Sequence, residues 1–204
     1  MMSDIRICFV GDSLVAGVGD RTALGWPGRL AARAQAVGWP LTWYNLGIRR
    51  ETSADIAARW EAECARRLPA GVAAGVVFAF GANDTVLEDG RPRVEPEKSV
   101  ANLVAFLDTA ADRGWHRLVV SPPPNIDPEH NARLAELDAR FAAVCAAADV
   151  GYLRALEPLS ADVVWQREIA AGDGYHPDGA AYERYADLLS PGWNHWFTTA
   201  FGVV

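Results

Sequence analysis

Lysine is almost missing from this chain: of 19 cationic residues, only Lys98 is not an arginine. Acids outnumber cations 26 to 19, so the formal charge is −7 and the isoelectric point lies near 5.1. A nucleic-acid surface needs clustered positive charge to engage phosphates, and this balance argues against one. Cysteine is scarce too. Cys8, Cys64 and Cys145 are odd in number and far apart, and no Cys-x-x-Cys pair exists to hold zinc or run a redox couple. Each lies in an apolar run or a helix-like pattern, so three reduced interior thiols are expected. No apolar stretch reaches membrane-spanning length, and the first one, bracketed by Asp4 and Asp12, follows no basic region of the kind a secretory signal carries. The expectation is a cytoplasmic protein with neither a nucleic-acid partner nor a membrane span. Homo-oligomerisation is left open.

Half of the 204 residues are apolar, enough to bury a full core, and no linker or internal repeat divides them. One domain, 1–204, is expected. Apolar strand-length runs alternate with helical patterns. Ile5–Val10, Leu41–Leu46, Gly75–Phe80, Leu118–Val120 and Gly151–Leu153 read as strands. Between them, Trp26–Val37 starts with Pro27 and stops before Gly38, as a helix does. From Thr52 or Ser53, Ile56, Trp60, Cys64 and Leu68 recur every fourth residue as one buried stripe. Further helices carry Val100–Leu107 and Leu134–Ala148, and Asp178 caps a closing helix through Leu189. The stretch from Glu88 to Glu95 reads as loop, and 156–174 as irregular with one short helix near Trp165. Such alternation predicts a three-layer α/β/α domain around a mostly parallel five-stranded sheet.

Parallel strands end on one edge, and three of these ends carry polar residues suited to chemistry. Ser13 follows the first strand in Gly11-Asp12-Ser13-Leu14, Gly47 ends the second, and Asn83 follows the third in Gly81-Ala82-Asn83-Asp84. A serine hydroxyl attacks only when a base takes its proton. His176, in Asp173-Gly174-Tyr175-His176-Pro177, is the best-placed base, because the flanking glycine and proline keep it in a loop able to fold over that edge. Asp173 can then hold the imidazole in the right tautomer. Backbone N–H groups of Ser13 and Gly47 and the Asn83 side-chain amide are candidate donors to a developing oxyanion. Asp12 and Asp84 are assigned to loop hydrogen bonds. His116 and His130 sit at element starts and His195 between two tryptophans, all poorer bases. Trp26, Trp165, Val86-Leu87 and Pro122–Pro124 are candidates for the cleft lining.

Taken together, Gly11-Asp12-Ser13-Leu14, the glycine of Asn45-Leu46-Gly47, Gly81-Ala82-Asn83-Asp84 and Asp173-Gly174-Tyr175-His176 resemble the blocks of the SGNH (GDSL) hydrolases, in the same order and over the whole chain. No Gly-x-Ser-x-Gly elbow points instead to an α/β-hydrolase. The resemblance implies a flavodoxin-like fold, catalytic Ser13, Asp173 and His176, and oxyanion donors at Ser13, Gly47 and Asn83. It also implies a small-molecule ester substrate and no metal or organic cofactor. Here the second block departs from the family: Ile48-Arg49-Arg50-Glu51 follows Gly47 where small residues are usual. An esterase acting on small or short-acyl esters is the first expectation, with a thioesterase or lysophospholipase on the same scaffold as the alternative. Outside catalysis stand a flavodoxin-like anion- or nucleotide-binding module, which needs neither Asn83 nor His176, and an interaction scaffold built on the Trp-rich C-terminus.

Overall fold

Strand β1 (Ile5–Gly11) is apolar on both faces, as a strand covered by helices on two sides must be. The computed structural model describes residues 4–203. In it β1 leads into the single-turn helix α1 (Ser13–Ala16), then α2 (Gly25–Ala36) and β2 (Leu41–Gly47). Helices α3 (Ser53–Ala57) and α4 (Trp60–Arg67) precede β3 (Ala73–Ala79). A small antiparallel hairpin, β4 (Leu87–Glu88) and β5 (Arg91–Pro92), is followed by α5 (Pro96–Asp112) and β6 (His116–Val120). The chain ends with α6 (Pro128–Ala147), β7 (Gly151–Leu153), α7 (Leu156–Ser160), α8 (Val163–Ala171) and α9 (Gly179–Phe201).

The main sheet has five strands in the order β2-β1-β3-β6-β7, each neighbouring pair parallel. Period-two alternation sorts its side chains. Ile5, Ile7 and Phe9 pack with Trp26, Tyr185 and Trp193 of α2 and α9; Cys8 and Val10 pack with Trp60, Phe78 and Phe106 on the other side. All three cysteines are buried free thiols. The order of strand addition reverses at β1, whose neighbours β2 and β3 lie on opposite sides, so a crevice opens at the carboxyl ends between β1 and β3. Gly11 is level with Gly47 on one flank and Ala79 on the other, which brings the segments after all three strands to one rim. Among the described residues, no helix is long and apolar enough to cross a membrane.

Four details differ from the sequence reading. The stripe from Ile56 to Leu68 runs over two helices, because Arg59 leaves helical geometry (φ −133°) and turns its guanidinium onto the Gly11 and Leu46 carbonyls at 3.3 and 2.9 Å. Residues 88–95 hold the β4–β5 hairpin, and 156–174 hold two helices, α8 being capped by Asp162. Helix α9 continues through Pro191 to Phe201. An internal proline costs ~3 kcal/mol. Burying Trp193 against Phe9 (centroids 5.5 Å) and Phe197 against Trp39 (4.4 Å) offsets that cost, at roughly 1.5–3 kcal/mol per large apolar side chain.

Candidate active site

Asp12 caps α1, its Oδ1 accepting the Leu14 N–H at 2.9 Å, so Ser13 becomes the first helical residue at the end of β1. A first-turn N–H has no acceptor inside its helix, which leaves the Ser13 N–H unspent. Gly47 explains why the helix can sit there. A Cβ at position 47 would stand 2.3 Å from the Ala16 nitrogen and 2.6 Å from the Asp12 oxygen, so only glycine lets the end of β2 pass under α1.

The loop between α8 and α9 carries the base. Gly174 is left-handed (φ +85°), its N–H donating to the Ile169 carbonyl and its own carbonyl accepting from Ile126. Inside this bend Asp173 Oδ1 accepts the N–H groups of Tyr175 and His176 at 3.0 and 2.9 Å, while Oδ2 meets His176 Nδ1 at 2.6 Å. Gly19 (φ +93°) lets the loop close: a Cβ there would lie 2.4 Å from the Pro177 oxygen. The closure brings His176 Nε2 to 2.8 Å from Ser13 Oγ, across 163 residues of sequence. Partial burial raises the Asp173 pKa, but the His176 ring and the two backbone N–H groups outweigh it and hold the carboxyl at about 2. It is therefore an acceptor at neutral pH, and His176 Nδ1 carries the proton of that bond. In the neutral imidazole Nε2 is then bare and faces the Ser13 hydroxyl.

Asn83, after β3, lies in the same cleft. Its Nδ2 donates to the Glu51 carbonyl at 2.9 Å and has only a 3.4 Å contact with Asp12 Oδ2. Asp84 is buried and accepts from Ser53 N and Ser99 Oγ at 2.7 and 2.6 Å, tying the loops after β2 and β3 together. Gly47 does not line the cleft, and its N–H donates to Asn45 Oδ1 at 2.9 Å. From that segment Arg49 and Arg50 reach the cleft instead. The volume is about 280 Å³, with Leu14, Val86 and Tyr175 as apolar lining. Trp26 and Trp165 are core residues, 1% and 0% exposed, and Pro122–Pro124 are buried, so none of these lines it. A larger groove of about 790 Å³ at the amino ends of β6 and β7 holds His116 and His195 but neither serine nor cysteine. Among the described residues no group of three or more His, Cys, Asp or Glu could hold a metal ion.

The profile of the GDSL-like lipase/acylhydrolase family matches residues 9–184. The chain belongs to this family. It is 30% identical to esterase TesA of Pseudomonas aeruginosa over 185 residues, 89% of this chain and 84% of that protein. A crystal structure of TesA superposes with a TM-score of 0.76 at 27% identity, covering 94% of this chain and 99% of that one. The fold also matches the psychrotrophic esterase EstA of Pseudoalteromonas sp., with a TM-score of 0.74 at 20% identity over 95% and 98% of the two chains. The protein is thus an α/β GDSL-like hydrolase acting on ester bonds.

Two residues that support this GDSL site escaped the sequence reading. His130 is buried; its Nδ1 faces Asn125 Nδ2 at 2.8 Å and its Nε2 faces the Ala82 carbonyl at 3.0 Å. The Asn125 oxygen already accepts from Asp127 N, so the Asn125 amide donates to Nδ1, and the His130 Nε2–H donates toward Ala82. Burial lowers its pKa and keeps it neutral, a strut beneath Asn83. Arg59 is the other, joining the ends of β1 and β2 to Glu51 (Nε to Oε2, 2.7 Å), whose carbonyl holds Asn83. Neither had a sequence signal: each reads as an ordinary polar residue of a helix.

Asp12 brings a stability prediction. Complete burial pushes its carboxyl up to about 7, opposed by the Leu14 N–H and reinforced by the charge of Asp84. The folded-state value lies above the ordinary ~3.9, so its contribution to stability is lost as pH rises through about 7. Asp12→Asn keeps an acceptor for Leu14 and removes the charge. The variant is expected to gain several degrees in Tm relative to the parent at pH 8.5, and much less at pH 5. Equal shifts at the two pH values in thermal melts would rule out this titration.

Proposed function

We propose that residues 1–204 form one hydrolase domain that cleaves carboxylic esters through an acyl-enzyme on Ser13. The observation carrying this reading is the continuous chain of bonds from Asp173 through His176 to Ser13, at 2.6 and 2.8 Å. Ser13 Oγ attacks the ester carbonyl carbon while His176 Nε2 takes its proton, and Asp173 balances the imidazolium. The carbonyl oxygen gains charge next to the unspent Ser13 N–H and the Asn83 amide. Gly47 is left out of the proposed donor set because it does not line the cleft, whereas Asn83 does and can turn its amide from the Glu51 carbonyl to the oxyanion. The Arg50 N–H, which has no acceptor among the described residues and belongs to a cleft-lining residue, takes the third place. The imidazolium then protonates the departing alcohol, and water activated by His176 releases the acyl group from Ser13.

A cleft of about 280 Å³ sits at the lower end of small-molecule sites (~300–1,000 Å³). It favours small or short acyl groups, and rates on nitrophenyl esters are expected to peak between about two and six acyl carbons. An optimum at long chains would overturn that size preference. The test of the nucleophile is direct. A fluorophosphonate probe, followed by peptide mass spectrometry, should modify Ser13, and His176→Ala should abolish the modification. Labelling elsewhere, or none, rejects the mechanism in favour of a binding module.

A further inference from the structure

The turn that leaves β2 carries two cations, and among the described residues their one ionic contact is a long one from Arg49 to Asp173. Among the described residues, Arg49 and Arg50 donate no hydrogen bond, although both line the Ser13 cleft. The nearest carboxylate oxygen to Arg49, Asp173 Oδ2, is 4.0 Å away and is already held by His176 at 2.6 Å. Among the described residues, Arg50 has no carboxylate within salt-bridge distance. The third arginine of the cleft, Arg93, is spent on Glu88 and on the Arg50 carbonyl, at 3.3 and 2.9 Å. Glu51, next in sequence, is spent on Arg59. Asp173 offsets part of the Arg49 charge, and Arg50 leaves the balance of charge at this mouth positive, in a protein whose net charge is −7.

Backbone geometry gives a second, independent reason to look here. Glu51 N donates to the Ile48 carbonyl at 3.4 Å, closing a four-residue turn whose third residue, Arg50, has φ +68°. That is the glycine position of a type II turn. An arginine kept there is strained, and such strain collects at functional sites. Arg93 on the Arg50 carbonyl and Asn83 on the Glu51 carbonyl, both at 2.9 Å, pin the turn.

We propose that Arg49 and Arg50 form an anion subsite at the rim of the cleft, selecting small esters that carry a carboxylate or phosphate near the scissile carbonyl. This rests on the reading of Ser13 as nucleophile only for where the ester sits. Guanidinium forks suit both anions, and unspent ones reverse the local sign of an acidic protein's field.

Two matched pairs test it and distinguish a charge on the alcohol side from one on the acyl side: 4-acetoxybenzoate against 4-acetoxybenzamide, and mono-nitrophenyl adipate against nitrophenyl hexanoate. At low ionic strength the wild type should favour the charged member of at least one pair by about fivefold to tenfold in kcat/KM, as expected for two partly exposed cations. Added 0.5 M salt should compress that ratio, and the double variant Arg49→Gln/Arg50→Gln should bring it to about one. A calorimetric arm needs no turnover. Ser13→Ala protein should bind the charged member of the preferred pair several-fold more tightly than its neutral partner, and the arginine changes should erase the difference. Inactivity on all four esters with the binding difference intact would sink the esterase reading alone. No charge preference in either pair, or a preference surviving the double variant, sinks the anion subsite.

Discussion

Ser13→Ala and His176→Ala are each expected to lower kcat/KM on a short-chain nitrophenyl ester by at least roughly 10⁴-fold, and the double variant should lose little more. Non-additivity is the telling part. The hydroxyl is useful only while Nε2 accepts its proton, and they stand 2.8 Å apart with no other side chain among the described residues bonded to Oγ. Asn83→Ala removes one oxyanion donor and leaves the nucleophile–base pair intact, so its loss should be smaller, roughly 10²- to 10³-fold. Stability should hardly change in the serine variant. Ser13 Oγ makes that single bond, and His176 Nε2 can turn to water once it is gone. Retention of a few per cent of wild-type activity in either single variant, with an unchanged melt, would remove Ser13 and His176 from the chemistry.

What could be read from sequence, and what could not, divides along one physical line. Strands whose apolar residues meet two helical layers announce themselves by composition, so β1, β3 and the residues that follow them were legible. The Asp173–His176 segment was legible for another reason: glycine and proline forbid helix there, and three residues are the right spacing for a carboxylate to reach its neighbour's ring. At a strand end, Gly47 fits an oxyanion donor and a clearance glycine equally well by sequence. Only the 2.3 Å approach of a built Cβ to Ala16 shows that the glycine is there for clearance under α1. The supports were hidden. Arg59 reaches carbonyls 48 and 13 residues away, and His130 holds a loop 48 residues away; no periodicity encodes such contacts. The break between α3 and α4 was hidden for the same cause, since it serves those long-range bonds and leaves the apolar stripe undisturbed.

Asp173→Asn is the substitution with the most specific expected consequence, because the two carboxylate oxygens have different duties. Oδ1 accepts two backbone N–H groups, from Tyr175 and His176, and Oδ2 accepts the imidazole N–H. An asparagine must place its carbonyl oxygen where Oδ1 was, or leave both N–H groups of the bend facing an amide NH2. The NH2 therefore lands opposite His176 Nδ1. A donor there forces Nδ1 to accept, moves the ring proton to Nε2, and presents Ser13 with N–H in place of a lone pair. The loop keeps its shape and the base loses its function, so kcat should fall by about 10⁴-fold with little change in KM. Asp173→Ala lacks the wrong donor and should retain more activity than Asp173→Asn, despite losing the bend's acceptor. The pH dependence of stability separates the two effects. The wild-type carboxyl at about 2 lies below the unfolded ~3.9, so its contribution is present above ~3.9 and lost as pH falls through about 2. Either variant should flatten that acid limb of the melting curve, whereas only the asparagine should show the full catalytic loss. An asparagine variant within tenfold of wild type would mean that Asp173 does not set the tautomer of His176.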